Sequence, residues 1–245
     1  MEWWKKYFSE DYLKLYRHDE GESSHEVSAV IRMLQLEGGQ RVLDLACGFG
    51  RHSVILAQKG FDVTGYDLSD SFLRKAKEIA DSLMVGMDIR QGDMREIPYT
   101  EEFDAVINMF TAFGFFDRED EDLEVLKGVY KALKPGGQFL MDVINREYAL
   151  ADLIQRRWAN ENSSYLLEER FFDYFNSRLE LTNRLILSSG EVKVANYSIR
   201  LYTLTEMLEM FNKAKLVLTD VYGNFDGELY SAKSPRMILV ASKES

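Results

Sequence analysis

The sequence predicts an α/β fold, a mostly parallel sheet with helices on both faces and an antiparallel β-insert late in the chain. Three observations carry this. From residue 41 to residue 144, short apolar runs alternate with helical stripes, the pattern of a parallel sheet joined by right-handed crossovers. The first run, Val42, Leu43 and Leu45, is broken by Gly48 and Gly50 and passes at once into a helical pattern. Between residues 165 and 201 the helical stripe disappears and a period-two alternation replaces it.

The chain has 245 residues, 46% hydrophobic and 29% charged, with three prolines. That composition fits one larger soluble domain, and we read residues 1–245 as a single unit. The formal net charge of −11 disfavours nucleic acid, whose phosphates it repels. No apolar run has membrane-spanning length, and the N-terminus does not read as a signal peptide. One cysteine, Cys47, rules out an internal disulfide, so a cytoplasmic location is expected.

In chain order, Trp4, Phe8, Tyr12 and Leu15 recur at helical spacing, with Tyr7 and Tyr16 beside them. Ser23 or Ser24 is placed to cap a second helix, and Gly38-Gly39 to end the N-terminal helical region of residues 1–36. The strand from Arg41 ends at Asp44-Leu45 and meets the glycine turn Ala46-Cys47-Gly48-Phe49-Gly50. A strand, a glycine turn and a helix N-terminus make a nucleotide-type binding turn, because glycine lets a ligand approach the backbone. The dinucleotide fingerprint wants a third glycine where Ser53 stands, and Asp44 would repel a pyrophosphate while attracting a cation.

The second strand runs to Asp67-Leu68, with Ser69 capping the next helix. Asp67 lies where such folds place a carboxylate on ribose hydroxyls. A third strand ends in Gly92-Asp93-Met94. The fourth, Phe103 to Asn108, leads into the aromatic run Met109 to Phe116, expected at the ligand edge with Phe110 and Phe113 nearest the ligand. An amphipathic helix, the turn Lys134-Pro135-Gly136-Gly137 and a fifth strand ending near Asp142 follow. Residues 160–201 read as an antiparallel meander with turns at Asn176-Ser177 and Ser188-Ser189-Gly190. Thr203 or Thr205 caps the last helix, and residues 216–218 and 237–240 make two closing strands, seven in all.

Asp44-Leu45-Ala46-Cys47-Gly48-Phe49-Gly50 resembles the first motif of the class I S-adenosylmethionine (SAM) methyltransferases, with Ala46 in place of its first glycine. Gln91-Gly92-Asp93-Met94 and Leu133-Lys134-Pro135-Gly136-Gly137 resemble later motifs of that family. The resemblance implies a Rossmann-like sheet and SAM as cofactor. It implies cofactor contacts at Asp44, Ala46, Gly48, Phe49 and Gly50, at Asp67 and Leu68, and at Asp93, Met94 and Asn108. There Asp93 would accept from the adenine amino group, and Met94 would offer its backbone N–H to the ring. SAM carries a sulfonium and an ammonium but no phosphate, which suits the acidic strand end.

The function expected is methyl transfer to an N, O or C atom of a small-molecule acceptor, with orientation and a dry site as the protein's contribution. Asp142, Tyr12 and Tyr16 are the candidate catalytic groups, and Phe110, Phe113 and Arg200 the candidate acceptor pocket. The N-terminal helices would cover the site, and the insert would shape the acceptor side or form a homodimer. Cytosine C5 chemistry lacks its cysteine on the acceptor loop, and adenine N6 chemistry lacks its proline pair after Asn108. His18, His25 and His52 have no metal-like spacing, and no metal is expected. The competing readings are an NAD(P)-dependent oxidoreductase, disfavoured by Ser53 and Asp44, and a SAM-binding protein without catalysis.

Overall fold

The computed structural model describes residues 20–161 and 164–244. It contains two sheets. The first has seven strands: β1 (Arg41–Leu45), β2 (Asp62–Asp67), β3 (Asp88–Gln91), β4 (Phe103–Asn108), β5 (Leu133–Ile144), β10 (Val217–Tyr222) and β11 (Arg236–Ser242). Their order is β10-β11-β5-β4-β1-β2-β3. Pairing is parallel from β3 through β5 and antiparallel at β11 and β10. The second sheet, β6 (Arg156–Glu161), β7 (Ser164–Asp173), β8 (Arg178–Ile186) and β9 (Val192–Arg200), is an antiparallel meander.

Alternating side chains send the large sheet's apolar residues to two opposite cores. Leu43, Leu45 and Val106 pack toward α4 (Glu119–Ala132) and α6 (Leu204–Lys213). Val42, Ala105 and Ile107 pack toward α1 (Glu20–Met33) and α2 (Arg51–Gln58). β1 and β4 are neighbours, and the chain winds outward from them in both directions. Their C-terminal ends therefore frame the crevice where such sheets bind ligands.

The local signals resolve as follows. Ser69 caps α3 (Asp70–Ser82) by accepting from the Phe72 N–H. Thr203 forms a capping box with Glu206 at the start of α6. Ser23 and Ser24 are not caps: the chain is already helical at Glu20, and Ser24 lends its carbonyl to the Ser28 hydroxyl. Lys134-Gly137 is not a free turn. It bulges between two stretches of the β4–β5 ladder and is pinned by Gly136 N–H to Lys243 O and Lys243 N–H to Gly137 O.

The meander begins at Arg156, slightly before the expected start, after a short α5 (Arg146–Ala151) that the sequence did not announce. Phe172, Leu179, Leu181, Ile199 and Leu201 form its inner core, against which Phe115, Ile144 and Leu150 pack. Gly114 lets the loop after β4 touch β9: its φ is +96°, and a Cβ there would lie 2.5 Å from the Arg200 carbonyl. The insert thus rests on the segment that continues the ligand edge. Among the described residues no helix is long and apolar enough to cross a membrane.

Candidate active site

The turn after β1 is built from left-handed residues, Ala46 at φ 60°, Gly48 at 58° and Gly50 at 80°. It wraps beneath Asp44, which is 1% exposed and accepts from the Ser53 hydroxyl at 2.5 Å. Burial holds the Asp44 carboxyl above its usual range, against the pull of His52, Ser53 and Arg51. The position that a dinucleotide turn gives to glycine is thus occupied by the hydroxyl that fixes this acid.

Asp67 ends β2 beside the turn. Its Oδ2 accepts from the Gly48 N–H and its Oδ1 from the Ser69 N–H, both at 2.8 Å. Burial nevertheless pushes its carboxyl up to about 6. Asp93, after β3, accepts from Arg95 Nη2 at 2.6 Å and Nε at 3.0 Å. Arg95 also reaches Glu121 and lies over the Phe116 ring, 4.5 Å from its centroid.

The wall after β4 is Met109, Phe110, Thr111, Ala112, Phe115 and Phe116. Phe110 and Thr111 sit at φ 58° and 60°, an unusual pair for residues with a Cβ. Asp142 over-determines them. Its Oδ2 accepts from the Phe110 N–H at 2.9 Å and its carbonyl from the Thr111 N–H at 2.8 Å, while Oδ1 accepts from Arg236 Nε at 2.7 Å. Arg236 Nη2 adds a 3.0 Å bond to the Thr111 hydroxyl. The result is a phenyl ring, 43% exposed, standing at the cavity.

These walls enclose one cavity at the C-terminal ends of β1 to β4. It contains ≈ 1070 Å³ of empty space, open solvent included. Asp44, Ala46, Gly48, Phe49, Asp67, Leu68, Asp93, Met94 and Phe110 line it.

Other expected site residues lie elsewhere. Gly50 stands at the helix start, closely packed on Ala76. Asn108 is fully buried behind the wall and donates to the Leu45 carbonyl. Phe113 is a core residue beside Tyr202, because the β4 loop turns it inward. Arg200 is held by Glu119 at 2.7 Å and is not on the wall. Asp142, a candidate catalytic group, has both carboxylate oxygens engaged by the Phe110 N–H and Arg236, is 1% exposed and is not on the cavity wall. Tyr12 and Tyr16 lie outside the described residues.

The wall also holds Arg51 and His52, to which the sequence reading gave no place in the site. Both reach Glu26 of α1: Arg51 Nη1 at 2.6 Å and His52 Nε2 at 2.7 Å from Oε2. Burial alone would raise the Glu26 carboxyl, but His52 and Arg51 outweigh it and hold it low. Among the described residues no cluster of three or more His, Cys, Asp or Glu is arranged to hold a metal.

Residues 42–137 match the family described as "Methyltransferase domain". The putative methyltransferase YqeM of Bacillus subtilis is 41% identical over 104 residues, 42% of this chain and 42% of that protein. The match thus spans less than half the length of that relative. The cypemycin N-terminal methyltransferase of a Streptomyces species is 27% identical over 215 residues, 84% of each chain. The solved structure of a S-adenosylmethionine-dependent methyltransferase from Clostridium acetobutylicum shares the fold, with a TM-score of 0.82 at 17% identity over 96% of each chain.

Proposed function

We propose that the chain is a class I SAM-dependent methyltransferase and that it methylates a small-molecule acceptor at an amine nitrogen, a reading supported by the matched methyltransferase domain and the relatives above. The observation that carries the cofactor is the set of three acids on one cavity wall: Asp44, Asp67 and Asp93. They suit a ligand with an ammonium, a hydroxyl pair and an amino-purine, and they oppose a pyrophosphate. SAM supplies an electrophilic methyl group on a sulfonium.

The residues divide the remaining work. Asp67 keeps a lone pair on each oxygen after binding Gly48 and Ser69, and so accepts from two vicinal hydroxyls. Asp93 accepts from the adenine amino group and Met94 donates its N–H to the ring. Gly48 and Phe49 let the ligand lie against the turn, with Leu68 beneath it. Phe110, Phe115 and Phe116 exclude water from the reacting centre, so that charge leaving sulfur is not held back by solvation. Asp142 and Arg236 act through the Phe110 loop that they hold. An amine entering neutral needs orientation more than a strong base. The cypemycin relative, which covers most of both chains, is named for an N-terminus, where the nucleophile of a peptide is an amine, and this supports nitrogen over oxygen or carbon.

Two further readings belong to this proposal. Action in the cytoplasm agrees with a single cysteine that is free and buried. The outer face of the β6–β9 sheet exposes Trp158, Tyr165, Leu167, Val192 and Val194. Cross-strand register places Trp158 opposite Leu167 and Tyr165 opposite Ile186, itself opposite Val192. A second copy of the chain is the proposed partner for this apolar face.

Isothermal titration with SAM and with NAD, followed by labelled methyl transfer to a panel of amines, alcohols and carboxylates, tests the function. SAM binding and label on an amine are expected. Binding of NAD alone would overturn the cofactor, and SAM binding without transfer to any amine would overturn the reaction.

A further inference from the structure

Phe116 ends the aromatic run after β4, and its buried ring lines the cavity. Two arginines from distant parts of the chain hold it, each by a different group. Arg95 holds the ring. Its guanidinium lies over the ring face, 4.5 Å from the centroid, where a cation meets the negative side of the π system. The plane of that guanidinium is set elsewhere. Nη2 and Nε grip the two oxygens of Asp93, the Arg95 backbone N–H adds a bond to Asp93 Oδ1 at 3.0 Å, and Nη1 reaches Glu121 in the first turn of α4. A guanidinium is a rigid planar fork, so fixing its edge on Asp93 also fixes the face it turns to Phe116. Both partners are partly exposed, Arg95 by 23% and Asp93 by 19%. Water weakens such a pair, and a ligand that covers it strengthens it.

Arg178 holds the backbone of the same residue. It opens β8, in the small sheet. Nη1 donates to the Phe116 carbonyl at 2.9 Å, while Nε and Nη2 donate to the Ser198 hydroxyl and carbonyl on β9 at 2.7 and 3.1 Å. The Leu201 N–H bonds the Ser177 carbonyl at 2.8 Å and ties the β7–β8 turn to the same place. Two strands of the insert therefore follow the position of Phe116.

Resting on the SAM reading above, we infer that Phe116 couples the adenine end of the cofactor to the acceptor-side insert, with Arg95 and Arg178 as its positioning residues. Adenine donating to Asp93 covers the Asp93–Arg95 pair and steadies the guanidinium. The guanidinium then fixes the ring, and the Phe116 carbonyl carries the restraint through Arg178 to the β7–β8 hairpin. Without adenine the pair competes with water and the wall is looser. That difference between two states is what a coupling between sites requires. Cofactor thus binds first and sets the wall against which the acceptor is placed.

The test is amide hydrogen exchange on the full chain, with and without saturating S-adenosylhomocysteine, for wild type, Arg95→Met, Arg95→Lys and Arg178→Met. In wild type the ligand should slow exchange at residues 46–50. It should also slow residues 113–118 and 174–179 by about fivefold or more, the lower end of couplings between sites. Arg95→Met keeps an apolar stem but has no fork. It should retain the slowing at residues 46–50 and lose it, to within about twofold, at the two distant segments. Arg95→Lys keeps the charge without the plane and should behave as Arg95→Met does. Arg178→Met should keep the slowing at residues 113–118 and lose it at residues 174–179. Wild-type slowing confined to residues 46–50, or slowing at residues 113–118 that survives in Arg95→Met, would overturn the coupling. Slowing at residues 174–179 that survives in Arg178→Met would remove Arg178 from it. A wild type that shows no slowing anywhere and no calorimetric binding is a separate result, and it overturns the SAM reading together with the inference. Thermal melts check folding. If Arg95→Met does not fold, Arg95→Lys decides in its place, and Arg178→Gln stands in for Arg178→Met.

Discussion

Asp67 should give cofactor binding a pH dependence. Its carboxyl stands at about 6 because it is buried, against about 3.9 for a free aspartate. Accepting from two hydroxyls requires the ionised form. SAM affinity should therefore be full above about pH 7 and fall as pH drops through 6, approaching tenfold per pH unit. Titration calorimetry from pH 5 to pH 8 reads this, and Asp67→Ala should weaken binding by about 1.5–3 kcal/mol. A flat profile, or unchanged affinity in the variant, removes Asp67 from the ribose role. Ala46 makes a different prediction. Its φ of 60° is left-handed, a conformation that costs a residue with a Cβ roughly 1–2 kcal/mol. Ala46→Gly should stabilise the fold by about 1 kcal/mol after the glycine's entropy is counted, measured by urea denaturation. The strand-end acids were legible because a strand, a turn and an acid are adjacent in sequence. Arg51 and His52 were not, because their common partner Glu26 lies 25 and 26 residues away on another helix. Ser53 read only as a missing glycine until its bond to Asp44 was seen.

α4 carries a buried acid whose linkage sets a second pH effect. Asp122 is fully buried and accepts from the Tyr202 hydroxyl at 2.7 Å, and burial raises its carboxyl to about 7. The folded chain thus binds a proton that the unfolded chain releases near pH 3.9. Stability from this group is greatest at the acid end, declines as pH rises from about 4 to about 7, and is level above that. Urea midpoints at pH 5 and pH 8 should differ less in Asp122→Asn than in wild type. The contact between the β4 loop and β9 is more brittle. Gly114→Ala would add a Cβ 2.5 Å from the Arg200 carbonyl at a φ of +96°, and should destabilise by about 2 kcal/mol or more in the same assay. A variant as stable as wild type would show that the loop and strand can separate without cost. At this scale the period-two meander was legible, since alternation is a local signal. The Lys134-Gly137 bulge was not, because its pinning bonds come from Lys243, at the far end of the chain.

Across the whole molecule, the strand order and the crevice between β1 and β4 follow from alternating strands and helices, and the sequence carried that pattern openly. What covers the outer face of the small sheet cannot be read from periodicity, because exposed alternation looks the same with or without a partner. If that face joins two copies, Trp158→Glu combined with Val194→Lys should yield a monomer by analytical ultracentrifugation with SAM affinity unchanged. A wild-type monomer at the concentrations used for activity would end that proposal. The join at Gly114 also bears on inheritance. The residues proposed for the cofactor lie between positions 44 and 94, whereas the small sheet occupies positions 156–200 and, among the described residues, lines no part of the cavity but rests on the loop after β4 that does. Evolution can therefore redraft one stretch without rewriting the other. Descendants with new acceptors should carry their changes in the loop after β4, which lines the cavity, and keep the earlier stretch.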